Sequence, residues 1–238
     1  MDDRRQREIE RGLAGGHSLA DEVAALIRRV RIGELDIEDL GLAAWVSYEP
    51  AEIALSSPDL DPEQVRARAL EQADERFQGS PGDALVIDLD PRGSLSSWLG
   101  KLGRMRPYAI HRAAAAAASA VLGHNPWRES TRAAVIAFEA WLLDPSPERV
   151  AAACAFLNPP GAAPYLPGEP HWLSSLLASV SPERSRDPLW TARLAVESCV
   201  YEHPEGDRGI KPAIRDEVAA WALGYQDPVR VRADRRSE

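Results

Sequence analysis

At 238 residues, 45% of them apolar, the chain is long enough to bury a sizeable core without disulfides or metals as staples. A formal net charge of −9 excludes the broad basic footprint on which nucleic-acid and anionic-membrane binding rest, and it favours a basic partner. Only Lys101 and Lys211 among 28 cationic residues are lysines, a bias of high-GC bacterial genomes that carries no mechanistic weight.

Met1 to Arg11 is charged rather than apolar, so no secretory signal is expected and the chain is placed in the cytoplasm. Asp2 to Leu13 has the make-up of a charged, frayed helical arm broken by Gly15 and Gly16. From Ser18 to Ile32, Leu19, Val23, Leu26, Ile27 and Val30 recur at three- and four-residue steps with Arg28, Arg29 and Arg31 opposite, which predicts an amphipathic helix stopped by Gly33. Asp36 and Asp39 form an acidic variant of a capping arrangement for a helix over Ile37 to Tyr48, with Leu40, Ala44 and Trp45 as its buried stripe. Pro50 suits the first turn of a short helix over Ala51 to Leu55. Asp61 followed by Pro62 opens another that runs to about Gln78 and ends at Gly79–Ser80–Pro81–Gly82.

Asp83 to Pro91 is the one strand-like interval, because Leu85, Val86 and Ile87 form an apolar run between turn signals. A lone strand has no partner, so an extended loop or the edge of a small hairpin is expected there. Helices follow at Ser94 to Leu102, Tyr108 to Leu122, Arg128 to Leu143 and from Ser146 to Leu157. The alanine block of the second pays no side-chain entropy in a helix and lets neighbouring helices approach closely. The longest apolar run, Ala113 to Leu122, is about half the ~20 residues that a membrane span needs, so no membrane partner is expected.

Residues 158–170 hold five prolines and two glycines. They read either as a connector between subdomains 1–157 and 171–238 or as an ordered surface loop. Beyond them, Trp172 to Val180, Pro188 to Tyr201 and Pro212 to Leu223 predict three more helices, and Val229 to Glu238 a basic, mobile tail. Three Ala–Trp pairs, Ala44–Trp45, Ala140–Trp141 and Ala220–Trp221, stand in the last turns of helices and read as anchors pinning helix ends. The fold class that follows is all-α, an irregular multi-helix bundle or short helical-hairpin stack of about eight to ten helices.

The sharpest chemical candidate is Asp88–Leu89–Asp90, two carboxylates after an apolar run that suit Mg²⁺ or Mn²⁺; the competing reading is a turn in which Asp90 caps the next element. Glu34, Asp36, Glu38 and Asp39 read as a docking patch for a basic partner or as first-turn acids that complement a helix dipole. Tyr48, Glu49 and Glu52 read as a pocket rim or as solvated acids after a helix end. Trp127, beside Arg128 in a loop, is either an exposed binding anchor or a staple closing the start of the following helix.

The five histidines show no zinc spacing, Cys154 and Cys199 no CxxC, and no phosphate-loop or nucleophile-elbow motif occurs, so no cofactor is expected. Both cysteines are expected reduced and buried. Pro164–Tyr165–Leu166–Pro167 fits PxxP, as proline-rich connectors often do. Arg230, Arg232, Arg235 and Arg236 read as solubilising charges or as phosphate contacts.

The passages "RRVRIGELDIEDLGLAAWVSYEPAEIAL" (Arg28 to Leu55) and "RAAAAAASAVLG…RESTRAAVIAFEAWLLDPSPERVAAA" (Arg112 to Ala153) resemble segments of a group of uncharacterised helical proteins of high-GC bacteria. The second is also similar to the helical immunity proteins of bacterial toxin systems. Together the passages cover about a third of the chain and consist mainly of packing residues. The resemblance implies a helical fold and a non-catalytic module that binds another protein, an inhibitor of a toxin or effector. Two other readings stay open: a divalent-metal-dependent enzyme centred on Asp88 and Asp90, and an accessory subunit of a larger bacterial complex.

Overall fold

The computed structural model describes residues 18–60, 95–124, 127–157 and 169–237. They form eleven helices, one more than the upper end of the sequence expectation, and no strand occurs among them. The expected arm 2–13, helix 61–78, strand-like interval 83–91 and PxxP segment lie outside the described residues. The chain divides into two compact units, residues 1–89 and 90–238. The division falls well before the proline segment, and the helices on both sides of that segment belong to the same unit.

In the first unit, α1 (Leu19–Arg31), α2 (Ile37–Trp45) and α3 (Glu49–Leu55) pack as a small cluster in which α3 touches both others. Ser18 and Asp21 close a capping box on α1: the Ser18 hydroxyl accepts the Asp21 N–H at 3.2 Å and the Asp21 carboxylate accepts the Ser18 N–H at 3.1 Å. Gly33, at φ +74°, then reverses the chain, and the Glu34 N–H returns to the Arg29 carbonyl at 2.9 Å. Asp36 caps α2 by accepting the Glu38 N–H at 3.0 Å. Leu40 to Trp45 are all buried, and Ala51 and Ala54 let α3 close on its neighbours. Ser47, at φ +64°, is the only non-glycine in left-handed conformation among the described residues. Arg31 ties the far end by donating to the Asp59 carbonyl and carboxylate, each at 3.0 Å.

The second unit is built around α5 (Pro107–His124). Helices α4 (Leu95–Met105), α6 (Glu129–Leu143), α8 (His171–Ala178), α9 (Pro188–Glu202) and α10 (Asp207–Ala222) all pack on it. That is why an alanine block suits α5: Ala113 to Ala118 are buried without exception, and small side chains allow neighbours to approach from every side. The bulky residues come from the surrounding helices, with Trp172, Phe138, Leu173, Leu176 and Leu177 fully enclosed. Helix α7 (Pro147–Cys154) lies on α6 and α8, and α11 (Pro228–Ser237) lies on α6 and α10.

Beyond shifts of up to three residues at helix ends, two elements differ from the sequence reading. Helix α10 starts at Asp207, with Pro212 inside it rather than at its start. The ring of Pro212 removes one backbone bond near the N-terminal end, where Asp207 complements the helix dipole and pairs with Lys211 at 3.2 Å. The supposed mobile tail is α11, a docked helix, because its arginines meet buried carboxylates.

Candidate functional site

The main polar feature of the second unit is a buried charge network that joins α5, α6, α10 and α11. The guanidinium of Arg112 on α5 grips Asp227 through two contacts, at 2.6 and 2.8 Å, and donates to Glu217 on α10 at 3.0 Å. Arg232 on α11 bridges Glu217 at 2.8 Å and Glu139 of α6 at 2.6 Å, and Arg236 reaches the second oxygen of Glu139. The Ser119 hydroxyl donates to Glu139 at 3.1 Å, and Arg112 lies 5.4 Å over the Trp221 ring. Side chains of Glu139 and Glu217 are only 2% and 1% exposed.

Three guanidinium groups and three carboxylates balance, so each buried charge faces an opposite one. Burial pushes the Glu217 carboxyl above its ordinary range, more strongly than Arg232 and Arg112 pull it down. At Asp227 burial also raises, but the hydrogen bonds and charge of Arg112 outweigh it and hold the carboxyl below its usual value. Both outcomes belong to a clamp, since these groups already serve as one another's partners. The expectation that Arg232 and Arg236 act as solubilising or phosphate-touching residues is thereby corrected.

The sequence-derived docking residues fall into three settings. Glu34 is exposed and pairs with Arg29 at 3.4 Å, a surface pair that contributes little to stability. Asp36, Glu38 and Asp39 form the first turn of α2, with Asp36 as its cap. Arg128 is exposed at the N-cap of α6. Trp127, read as an exposed anchor or a staple, takes the staple's place and is half-buried: its indole N–H donates to the Val121 carbonyl at 3.2 Å and its ring meets Trp172 edge to face at 6.0 Å. The apolar body of Trp127 packs against the ring of Trp172 on α8, which accounts for its partial burial. At the expected pocket rim, the Tyr48 hydroxyl is engaged by Glu22, and burial together with the nearby Glu49 raises the Glu52 carboxyl.

The sequence reading missed the outer face of α9. Ala192, Ala195, Val196 and Cys199 are buried, and Trp190 and Tyr201 point the opposite way, 53% and 90% exposed. Eleven residues are three helical turns, so the two rings share one face about 16 Å apart along the axis. Half-buried Leu194 lies between them, beside the Arg193–Glu197 ion pair at 2.8 Å. The helical period alone, applied to the buried Ala192, Ala195, Val196 and Cys199, points to this face.

Charge is unevenly divided. Residues 1–89 carry 20 carboxylates against 10 arginines, and residues 90–238 carry 17 against 18 cationic side chains, so the net charge is −10 in the first unit and +1 in the second. Within residues 18–60 alone, nine carboxylates face three arginines, and Ile32 is 66% exposed beside Glu34.

Asp88 and Asp90 lie outside the described residues. Among the described residues no group of three or more His, Cys, Asp and Glu is arranged to hold a metal ion. Cys199 is buried and Cys154 half-buried; burial raises both thiols, Cys199 strongly. The expectation that both are buried holds for Cys199 only. No described helix is long and apolar enough to cross a membrane. Comparison with family models, curated proteins and solved structures finds no match for the chain.

Proposed function

We propose that the chain is a non-catalytic protein-binding module whose partner is a basic protein, and that its role is that of an immunity-like inhibitor of a bacterial toxin or effector. The observation that carries this reading is the outward pair Trp190 and Tyr201 on α9. Exposed aromatic side chains on a rigid helix lose little conformational entropy on binding, and Trp, Tyr and Arg dominate the energetic centres of protein interfaces. The −10 charge of the first unit supports the sign of the partner, because a negative field speeds encounter with a basic surface. The inhibitory role comes from the resemblance of Arg28 to Leu55 and Arg112 to Ala153 to helical immunity proteins.

The test compares the tagged wild type with a Trp190→Ala/Tyr201→Ala variant in native-host lysate. Wild type is expected to retain one basic protein at stoichiometric yield, and the variant to lose it by a factor of about 100 in affinity. Retention of the same partner by the double variant would overturn the reading. Capture of a multi-protein assembly would make the chain an accessory subunit instead.

A further inference from the structure

Helix α11 has an unusual mode of attachment. Val229 is its only fully buried residue among the described ones, Pro228, Val231 and Ala233 are half-buried, and Arg232 and Arg236, spaced one helical turn apart, make its ion pairs with α6 and α10. The receiving surface is preorganised by the rest of the unit: Ser119 on α5 holds Glu139, and Arg112 holds Glu217 from behind. Asp227 fixes the base of α11 twice, through its grip on Arg112 and by accepting the Val229 N–H at 2.9 Å.

We infer that the groove between α6 and α10, with Glu139 and Glu217 as its paired acids, is a binding site for a helix that presents two arginines four residues apart, and that α11 is its resident, displaceable occupant. The ligand class is an arginine-bearing amphipathic helix of another protein, with an apolar residue three positions before the first arginine in the place of Val229. Displacement is feasible because α11 buries little apolar surface. After its departure Glu217 keeps Arg112 and Glu139 keeps the Ser119 hydroxyl, which offsets part of the lost pairing. Helices with few apolar contacts open locally at a lower cost than the whole fold. The inference goes beyond the α9 face and does not depend on it.

The probe is a fluorescent synthetic peptide of residues 228–238, added to the full-length chain. Full-length Arg232→Ala/Arg236→Ala, whose own latch is disabled, is expected to bind it about tenfold or more tighter than wild type, with affinity falling as salt rises. Adding Glu139→Gln to that variant, or Ala at both arginines of the peptide, is expected to abolish binding. Equal affinity for wild type and a variant with wild-type circular dichroism would overturn the inference.

Because the double variant takes both guanidinium partners from Glu139 and one of two from Glu217, hydrogen exchange on the wild type gives an independent reading. Amides of α11 are expected to exchange by local opening at least about 100-fold faster than those of α5. Protection of α11 equal to that of α5 would equally overturn the displaceable latch.

Discussion

Arg112 and Asp227, 115 residues apart in sequence, meet through two parallel N–H···O contacts of 2.6 and 2.8 Å, and this pairing fixes the chain where α10 gives way to α11. Such a fork adds geometric specificity as well as energy. Arg112 is also nearly enclosed, so its loss removes the guanidinium that grips Asp227 and one of the two that pair with buried Glu217. Arg112→Ala is expected to cost about 3–5 kcal/mol, read from urea unfolding. Because the groups act as a unit, Arg112→Ala with Asp227→Ala is expected to cost less than the two single changes added together. Simple additivity would show that the pair is not coupled.

The same pairing sets a pH dependence. Asp227 titrates below its ordinary value of 3.8 in the folded chain, so the unfolded chain takes up the proton first. The stability contributed by this group is therefore complete well above that value and is lost as pH falls through the lower, folded pKa. Asp227→Asn is expected to melt below wild type at pH 7, with the difference shrinking below about pH 4. Glu217 works in the opposite sense: its raised carboxyl makes the folded state the better proton acceptor in the window above 4.5. A difference between wild type and Asp227→Asn that stays constant down to pH 2 would contradict the assignment.

His203 leaves no room beside α10. A Cβ built on Gly209 falls 2.0 Å from the His203 ring, whose Nδ1 accepts the Glu205 N–H at 3.2 Å and which meets the His124 ring in a T-shaped pair with centroids 4.4 Å apart. Gly209→Ala is expected to destabilise by roughly 1–3 kcal/mol, and His203→Ala in the same chain to recover most of that loss. Thermal melts of the two singles and the double decide it. A neutral Gly209→Ala would mean that the ring moves aside at no cost.

Ser47 ends α2 in the left-handed region that glycine adopts freely. Ser47→Gly is expected to raise stability by a few tenths to about 1 kcal/mol, measured by denaturant midpoint, because relief of the side-chain penalty exceeds the added entropy of the unfolded chain. A lower midpoint would place the stabilising role in the Ser47 side chain instead.

The sequence made the helices legible wherever one face repeats. Leu26 and Ile27 lie on the buried side of α1 as their spacing indicates, and the alanines of α5 are enclosed as a close-packed helix requires. Pro212 misled as a start signal because proline marks a first turn more often than it occupies an interior position. Helix α11 read as a tail because its attachment is long-range: Arg232 and Arg236 pair with Glu139, 93 and 97 residues away, and no local pattern records that match. For Trp127 the loop position left anchor and staple both open, and the ring of Trp172, 45 residues further on, is what decides for the staple. The aromatic face of α9 was open to a helical projection, since Trp190 and Tyr201 differ by three full turns.

The most direct test of a binding face on α9 is oxidative footprinting of the chain alone and in complex with the basic protein that it retains. Trp190 and Tyr201 are expected to be readily modified in the free chain and strongly protected in the complex, with buried Trp172 unreactive in both. Unchanged modification of Trp190 and Tyr201 in a stoichiometric complex would contradict the account.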